Sequence, residues 1–280
     1  MFGILGILVV FGAVVGGYLM EHGSLKVLVQ PAELIIIGGA AAGTVLVANP
    51  PNILKGILAG MAAVFGGGKF TQATYLKTLT QLFAVMQKAR KGGLPALEAD
   101  VEAPAKSELF KGWDHHARDF VCDTLRVALA GGPAPFELDQ MMELDMEVHH
   151  HYAQQPVQAL STVADSLPGL GIVAAVLGVV ITMGALGGPP EEIGHKVAAA
   201  LVGTFLGILL CYGLLGPIAS KMGKAIDDEG RYYHVLRVGL VAFLKGTSPL
   251  ICIEFSRRAV PGHVRPSFVD MEKACKAVKS

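Results

Sequence analysis

Two short stretches of this chain carry residue types that often do chemistry. The stretch FGGGKFT (residues 65–71) ends like a phosphate-binding loop, but the glycine and hydroxyl that such a loop needs are replaced by Ala63 and Phe70. Histidines 149–151 are consecutive, so on a helix their side chains point about 100° apart and form no i, i+4 zinc pair. Histidines 115 and 116 are adjacent in the same way. Because no serine, histidine and acid are spaced for hydrolysis, we predict solvated histidines and no enzymatic activity.

Thr204 is one of the few polar side chains in the long apolar stretches of this chain. It lies near the middle of the apolar stretch 197–220, on the helical face shared with Ala200 and Gly207. A threonine there either bonds its own i−4 carbonyl or lines a polar path. Neither 197–220 nor the apolar stretch 166–190 contains an acid. The two stretches are therefore either a passive anchor or half of an ion path whose carboxylate comes from another polypeptide.

Two prolines lie at the ends of these stretches. Pro168 either starts a helix, where its missing N–H costs nothing, or lies inside a helix that begins near Ser161. In the second case its ring frees a carbonyl near Ala164 and bends the helix. Pro217, near the end of the second stretch, poses the same two alternatives.

The composition is that of a membrane protein. Of 280 residues, 52% are hydrophobic, only 16% are charged and 35 are glycine, which is too apolar for an ordinary soluble domain. The 23 basic and 23 acidic residues balance, and no basic stripe with aromatics predicts a nucleic-acid partner. The four cysteines are far apart and form no CxxC motif, so neither a disulfide framework nor a zinc site is predicted.

Four segments are long and apolar enough to cross a bilayer, which takes about 20 residues of helix. They are Met1–Met20, Leu34–Leu54, Ser166–Pro190 and Val197–Ser220. Pro50 and Pro51 predict that the second helix ends near Asn49. No basic residue precedes the first segment, so we predict a retained span rather than a signal peptide.

The basic residues predict how these segments are oriented. All Lys and Arg except Lys26 and Lys196 lie in residues 51–165 and 221–280, which the positive-inside rule places in the cytoplasm, together with both termini. We predict an all-α integral membrane protein with four transmembrane helices in two hairpins and a helical cytoplasmic domain. Its segments are transmembrane hairpin 1 (1–50), a cytoplasmic helical insertion (51–162), transmembrane hairpin 2 (163–220) and a cytoplasmic C-terminal tail (221–280).

Small residues recur four apart in every predicted span. The pairs are Gly12 and Gly16, Gly39 and Gly43, Ala174 and Gly178, and Gly203 and Gly207. Hydrophobicity does not drive helices together in lipid, where such pairs let backbones approach closely. The pattern predicts tight helix packing within the chain or between chains, although glycine is also generally common in membrane helices.

The predicted insertion and tail are mostly helical. Residues 74–91 place Tyr75, Leu79, Leu82, Phe83 and Met86 on one helical stripe, and the stretch GGLP (92–95) then breaks the helix. A second helical region is predicted over residues 114–151 with an interruption at GGPAP (131–135). In the tail, a helix is predicted to resume near Tyr232, after the stretch DDEGR (227–231).

Several stretches resemble one known family. DSLPGLGIVAAVLGVV (165–180) and ALVGTFLGILLCYGLLGP (200–217), together with GGYLM, QPAEL and RPSFVDMEKACKAVK, are similar to the MotA-type stator subunits of the bacterial flagellar motor. The match runs from the first span to the C-terminus, and the pattern of the fourth span is highly specific. The resemblance implies a channel-forming subunit that couples proton flow across the inner membrane to torque on the rotor.

The resemblance also implies partners. Subunits of this family surround a dimer of MotB, whose single span carries a proton-accepting aspartate and whose periplasmic domain binds peptidoglycan. They act on the rotor protein FliG. We therefore expect a multi-pass protein of the bacterial inner membrane that forms a homo-oligomer, a pentamer around the partner dimer, and that needs no cofactor and no bound metal.

Site residues follow from the same resemblance. The two prolines of the family match Pro168 and Pro217, which are expected to couple protonation to movement of the cytoplasmic part. The family hydroxyl that faces the ion path matches Thr204. Sodium-driven relatives place a second hydroxyl where this sequence has Ala175. Because sodium needs several oxygen ligands to replace its water, a proton is the expected ion.

Two charged residues of the insertion complete the set. Arg90 and Glu98, in KARKGGLPALEAD (88–100), match the pair that meets complementary charges on FliG, and Lys91 adjoins Arg90. Without the resemblance, charges beside a Gly-Pro break indicate a solvated surface. Two other functions stay open: a TolQ- or ExbB-like proton-driven energiser, which has three spans rather than four, and a membrane scaffold that conducts no ions.

Overall fold

The computed structural model describes residues 2–131, 134–184 and 187–278. Regular structure in these ranges is entirely helical, which confirms the all-α prediction. The α-helices are α1 (Phe2–Met20), α2 (Leu25–Leu28), α3 (Pro31–Ala48), α4 (Pro51–Val64), α5 (Gln72–Gly92), α6 (Glu98–Glu102), α7 (His115–Leu129), α8 (Pro135–Met183), α9 (Pro190–Leu210), α10 (Gly216–Leu244), α11 (Pro249–Ala259) and α12 (Phe268–Ala277). A π-helical segment, Cys211–Leu215, joins α9 to α10.

Four helical segments are long and apolar enough to cross a membrane, as predicted. They lie in Gly3–Met20, Leu25–Ala48, Pro135–Met183 and Pro190–Leu244. The second span ends at Ala48, immediately before Asn49, as Pro50 and Pro51 predict. Helix α3 begins at Pro31, however, and not at Leu34, because a proline at the first helical position already has the φ angle of a helix. The helix therefore includes Glu33.

The contacts divide the chain into two compact units. The first comprises Met1–Gly67 and Ala153–Lys224, and the second comprises Gly68–Tyr152 and Ala225–Ser280. The first unit contains α4, which begins immediately after the two prolines. Because this division rests on contacts within the chain, the predicted membrane boundaries of hairpins, insertion and tail stay predictions.

The core of the first unit joins α3 to α8 and α9. Its buried residues are Ile37, Ala41, Ala164, Leu167, Ala174 and Cys211. Six large apolar side chains of α1 are exposed, and none of the apolar window of that helix is buried within the chain: Ile4, Leu5, Leu8, Val9, Leu19 and Met20. Such a surface suits lipid or another subunit and does not suit water.

The core of the second unit forms around α5. Tyr75, Leu79, Leu82 and Met86 are at most 1% exposed, and Phe83 is partly buried, which confirms the predicted stripe. The hydroxyl oxygen of Thr71 accepts a hydrogen bond from the Thr74 N–H at the start of α5. These residues pack on buried side chains of α7, α10, α11 and α12: Val121, Leu125, Leu236, Leu240, Ile253 and Met271.

Two predicted interruptions have different outcomes. The interruption at 131–135 includes residues 132 and 133, which lie outside the described ranges; α7 ends at Leu129 and α8 begins at Pro135. The predicted restart of helix near Tyr232 is wrong, because α10 runs without a break through residues 227–231. Arg231 pairs with Asp228 one turn earlier at 2.9 Å, so the charged stretch supports its own helix.

Ion pairs form both between and within helices of the second unit. The Arg237 guanidinium on α10 bonds both Asp139 and Glu143 on α8. The Glu254 carboxylate accepts hydrogen bonds from Arg257 and Arg258, which lower its pKa to about 2 despite burial. Because folding favours the charged form, this interaction contributes stability at neutral pH and loses it only as the pH falls from 4.5, the ordinary value, towards about 2.

The histidines only partly follow the prediction of a solvated cluster. His149 is half-buried against the Tyr233 ring and the His116 ring. Its Nε2 lies 3.7 Å from a Glu229 carboxylate oxygen, and this carboxylate raises the pKa of His149 against the opposing effect of burial. No group of three His, Cys, Asp or Glu side chains in the described ranges is placed to hold a metal ion.

All four cysteines are free and buried. Cys122, Cys252 and Cys275 lie in the second unit, and Cys211 lies in the first. Burial raises the pKa of Cys122 to about 12 and that of Cys252 and Cys275 to about 11. These thiols therefore act as small apolar core side chains.

Candidate functional site

Helices α8 and α9 pack so closely that backbone atoms of one contact backbone atoms of the other. This contact is called the α8–α9 seam below. A β-carbon at Gly207 would lie 2.5 Å from the Leu167 carbonyl oxygen, and one at Gly171 would lie 2.7 Å from the Gly203 carbonyl oxygen. A β-carbon at Gly178 would lie 2.6 Å from the Ala200 side chain. No side chain fits at these positions, so the glycines are what allows the contact.

This contact confirms half of the small-residue prediction. The pairs Ala174/Gly178 and Gly203/Gly207 lie in the seam between α8 and α9. By contrast, a β-carbon built at any of the other four glycines would meet no atom of another helix within 4 Å in the described part of the chain: Gly12, Gly16, Gly39 and Gly43. The faces that carry those four glycines are open to lipid or to another chain.

The Thr204 hydroxyl is half-buried beside this seam. It makes no hydrogen bond within the described residues, whereas Thr182 donates to the Gly178 carbonyl at 2.8 Å and Thr44 to the Ala41 carbonyl at 2.8 Å. Of the two alternatives for Thr204, the bond to its own helix is therefore not the one adopted. A β-carbon at Gly171 would lie 3.2 Å from the Thr204 Cα, and Ala175 lies one turn from Gly171 on the same face of α8.

Pro168 lies inside α8 and does not start it. The helix continues past the ring to Met183, so the Ala164 carbonyl loses the N–H that would normally bond it. The carbonyl of the preceding residue, Leu167, is the one that approaches Gly207. A backbone position of α8 that lacks a helical hydrogen bond is thus directly next to a close contact with α9.

A second proline inside α8 was missed by the sequence analysis. Pro156 lies twelve residues before Pro168, and a β-carbon at Gly56 on α4 would lie 2.6 Å from its Cγ. Only the length of α8 shows that this proline is internal, because the polar residues around it carry no span signal.

Pro217 follows the π-helical segment between α9 and α10. In that segment the Gly216 N–H bonds the Cys211 carbonyl five residues earlier, and Pro217 is the second residue of α10. The wider turn lets the chain pass a residue without an N–H while remaining helical. Pro217 therefore neither begins an independent helix nor bends a regular one.

Arg90 and Glu98 are held on either side of a sharp turn. Arg90 lies in the last turn of α5 and Glu98 begins α6, with Gly93 at φ 76° between them. Leu97 is fully buried and anchors the turn. Both charged side chains are exposed, and neither forms an ion pair with any described residue, whereas neighbouring Lys88 and Asp100 pair with each other.

Glu33 is a buried acid that the sequence analysis did not consider. It is 7% exposed, and its Oε2 has no hydrogen-bond partner in the described part of the chain. A β-carbon at Gly203 on α9 would lie 2.5 Å from that oxygen. The signal that would have revealed it is Pro31, since a proline at the first helical position puts Glu33 in the first turn of the span.

Comparison with known proteins identifies the relatives of this chain. The family model described as Motility protein A N-terminal matches residues 4–93, and that of the MotA/TolQ/ExbB proton channel family matches residues 112–234. Motility protein A of Escherichia coli (strain K12) is 41% identical over 282 residues, which cover 99% of this chain and 96% of that protein.

Solved structures share the fold. The structure of C. jejuni MotAB superposes on this chain with a TM-score of 0.77 at 20% identity, and the match covers 95% of this chain and 98% of that chain. The flagellar MotAB stator complex from Bacillus subtilis gives a TM-score of 0.74 at 24% identity, covering 90% of this chain and 92% of that chain.

Proposed function

Because this chain belongs to the motility protein A family, we propose that it is the channel-forming stator subunit of a bacterial flagellar motor. The observation that carries the proposal is the α8–α9 pair, which combines backbone contact with an unpaired Thr204 hydroxyl and no acid in its membrane stretches. Relatives of this kind are channel and stator proteins, which points away from catalysis.

The membrane arrangement that we propose follows the basic residues. The chain is a multi-pass membrane protein. We place it in the inner membrane as two hairpins, with both termini, the 51–162 insertion and the 221–280 tail in the cytoplasm. Five copies surround a dimer of a MotB-type subunit, whose single span supplies the carboxylate and whose periplasmic part is anchored to peptidoglycan. The apolar side chains exposed on α8, such as Ile172, Val176 and Val180, suit such a partner helix.

The mechanism assigns one task to each site residue. Protonation of the partner's carboxylate removes its charge and changes its interaction with the free Thr204 hydroxyl. Pro168 lets α8 bend where a backbone hydrogen bond is already missing, and the π-helical turn before Pro217 lets the α9–α10 connection follow. Ala175 offers no oxygen ligand, which favours a proton over sodium as the ion, and no cofactor is needed.

Co-expression with a MotB-type partner tests the function. Vesicles that contain both proteins are expected to pass protons, while vesicles with this chain alone are expected to pass none, because the carboxylate is supplied by the partner. A protonophore should stop swimming and removal of sodium should not. Steady proton flux through this chain without its partner would contradict the assignment, and an absence of flux and of any motility defect on deletion would favour a scaffold.

The energiser alternative is not favoured. The first 93 residues include two of the four candidate spans, and residues 4–93 match the Motility protein A N-terminal model. TolQ- and ExbB-like proteins have three spans, so this part of the chain distinguishes the two classes.

Because the proposed rotor contact is electrostatic, reversing its charges should reduce motility and leave the stability of the fold unchanged. Reversing Arg90 and Lys91 to glutamate together, so that neither replaces the other, is expected to reduce swimming in soft agar to less than about half. Each exposed ion pair contributes only about 0–1 kcal/mol, but several subunits repeat the contact. Glu98→Lys should act in the same direction.

The matched control for this prediction is Lys273→Glu. Lys273 is exposed on α12, in the same compact unit, and should tolerate reversal. Complementary charge reversal on the rotor protein FliG is expected to restore part of the motility. Normal swimming by the Arg90/Lys91 double variant would remove these residues from the rotor contact.

A further inference from the structure

Glu33 is a buried acid whose Oε2 has no hydrogen-bond partner among the described residues of the first unit. It belongs to the first turn of α3, is 93% buried, and directs Oε2 at the backbone of Gly203 on α9. Gly203 supplies neither a donor nor a charge to that oxygen. Any other residue at 203 would place a carbon on the carboxylate, so this glycine is what leaves room for the acid.

No charged group of the surrounding helices compensates Glu33. The charged or titratable residues on the helices packed near it are Lys26 on α2, Asp165 on α8, and Glu191, Glu192, His195 and Lys196 at the start of α9. None of them forms an ion pair or hydrogen bond with Glu33 in the described structure, and Lys196 is already paired with Glu192 at 2.8 Å. The nearby core residues are apolar or small: Ile37 lies one turn along α3 on the same face, and Ala174 lies with the Glu33 carboxylate beside Gly203.

The helix dipole favours an acid in the first turn of α3, but no donor or cation among the described residues pairs with the Glu33 Oε2. An ionised carboxylate is strongly disfavoured in an apolar interior unless it is paired, so the group is either protonated or exchanges a proton with something outside the chain. Glutamine has nearly the same shape and would carry out any purely packing role. Burial, lack of a partner and the space opposite Gly203 together indicate a proton-exchanging group.

We propose that Glu33 is a second proton-accepting site of the ion path, one that lies on this chain and loads protons towards Thr204. The inference rests on the proposed function, because the 21–30 link before α3 is then periplasmic and Glu33 is near the side from which protons enter. Gly203, which faces the carboxyl, directly precedes Thr204, whose hydroxyl is unpaired. The carboxyl takes a proton from water on the entry side and releases it to water beside Thr204, whose hydroxyl accepts a hydrogen bond from that water and donates one towards the partner's carboxylate.

A site that loads protons should affect the rotation speed at low load and leave the stall torque unchanged. At high load the motor waits on the mechanical step, and at low load it waits on proton arrival. In a strain whose only stator subunit is this chain with its partner, Glu33→Gln is expected to lower the rotation speed at near-zero load by roughly threefold or more and to leave stall torque unaltered. Glu33→Asp should restore part of the speed.

Glu191→Gln is the matched control. Glu191 is an exposed acid at the start of α9 with no ion pair among the described residues, and its variant should rotate at the wild-type speed under both loads. If the wild-type chain drives no rotation at all, the proposed function fails. If the wild type drives rotation and Glu33→Gln matches it at near-zero load, only the present inference fails. A variant that loses stall torque together with stator recruitment would indicate a packing role and would also overturn it.

Chemical labelling of the wild-type complex tests the proposal without any variant, so it holds even where a variant does not assemble. Dicyclohexylcarbodiimide, an apolar reagent, adds to protonated carboxyl groups in membranes to leave a stable N-acylurea. Mass spectrometry of the wild-type complex should find this adduct on Glu33, more at low pH than at high pH, and none on Glu191. Complete absence of an adduct on Glu33 over the working pH range would overturn the proposal.

Discussion

A chain carrying Pro168→Ala is expected to accumulate and assemble normally yet drive almost no rotation. Pro168 lies inside α8, so alanine would restore the N–H that bonds the Ala164 carbonyl. An internal proline costs a helix about 3 kcal/mol, and its removal stiffens α8 by a similar amount. The neighbouring Leu167 carbonyl is in contact with Gly207, so a stiffer α8 no longer moves relative to α9. Rotation of tethered cells should fall by at least about tenfold, since this cost exceeds 1.4 kcal/mol.

Pro156→Ala provides the control for that experiment. Pro156 is also internal to α8, but it contacts α4 at Gly56 and lies outside the α8–α9 seam. Its replacement removes a proline from the same helix and should leave most of the torque. Normal swimming by the Pro168→Ala chain would exclude this proline from the mechanism, whatever the behaviour of the control.

The second large effect is expected from Gly207→Val, which should abolish assembly and motility together. Its β-carbon would lie 2.5 Å from the Leu167 carbonyl oxygen and 3.1 Å from the Gly171 Cα. Both neighbours are backbone atoms of α8, so no side chain can rotate away. Overpacking of this kind costs about 1–3 kcal/mol or more, and in lipid no hydrophobic gain compensates it.

Gly194→Val makes the same substitution on the same helix. Gly194 is exposed and has no neighbouring atom within 4 Å, so this variant should assemble normally. The measurement is the amount of intact stator complex in detergent extracts of the membrane, followed by swimming. Recovery of a normal amount of complex with Gly207→Val would show that the two helices need no backbone contact.

Sequence pattern predicts the features that repeat along one element. The stripe from Tyr75 to Met86 needs only the period of a helix, and the end of α3 before Asn49 needs only two prolines. The seam glycines at 203 and 207 were predictable as packing residues because they recur at one-turn spacing. Which helix they meet was not predictable, since Gly12 and Gly39 show the same spacing and meet nothing in the described chain.

The features that the sequence does not reveal depend on where helices begin and on which other helices they contact. Pro168 had two equal interpretations because its role depends on where α8 begins, and that start is at Pro135, 33 residues earlier. The interpretation of Thr204 depended on whether its hydroxyl bonds its own helix, which no pattern decides. The sequence pattern does not single out Glu33, because the predicted second span begins at Leu34, three residues after the start of α3 at Pro31. His149 is half-buried because α10 runs without a break through residues 227–231 and places Glu229 and Tyr233 against it, opposite the His116 ring.

The burial of every cysteine has a practical consequence for mapping the assembled motor. With Cys122, Cys211, Cys252 and Cys275 inside the two cores, maleimides and mild oxidants have almost nothing native to react with. A single reporter thiol placed at Gly12 or Gly16, on the uncovered face of α1, would then be read against a silent background. Whichever molecule cross-links to it is the neighbour that covers that face in the cell.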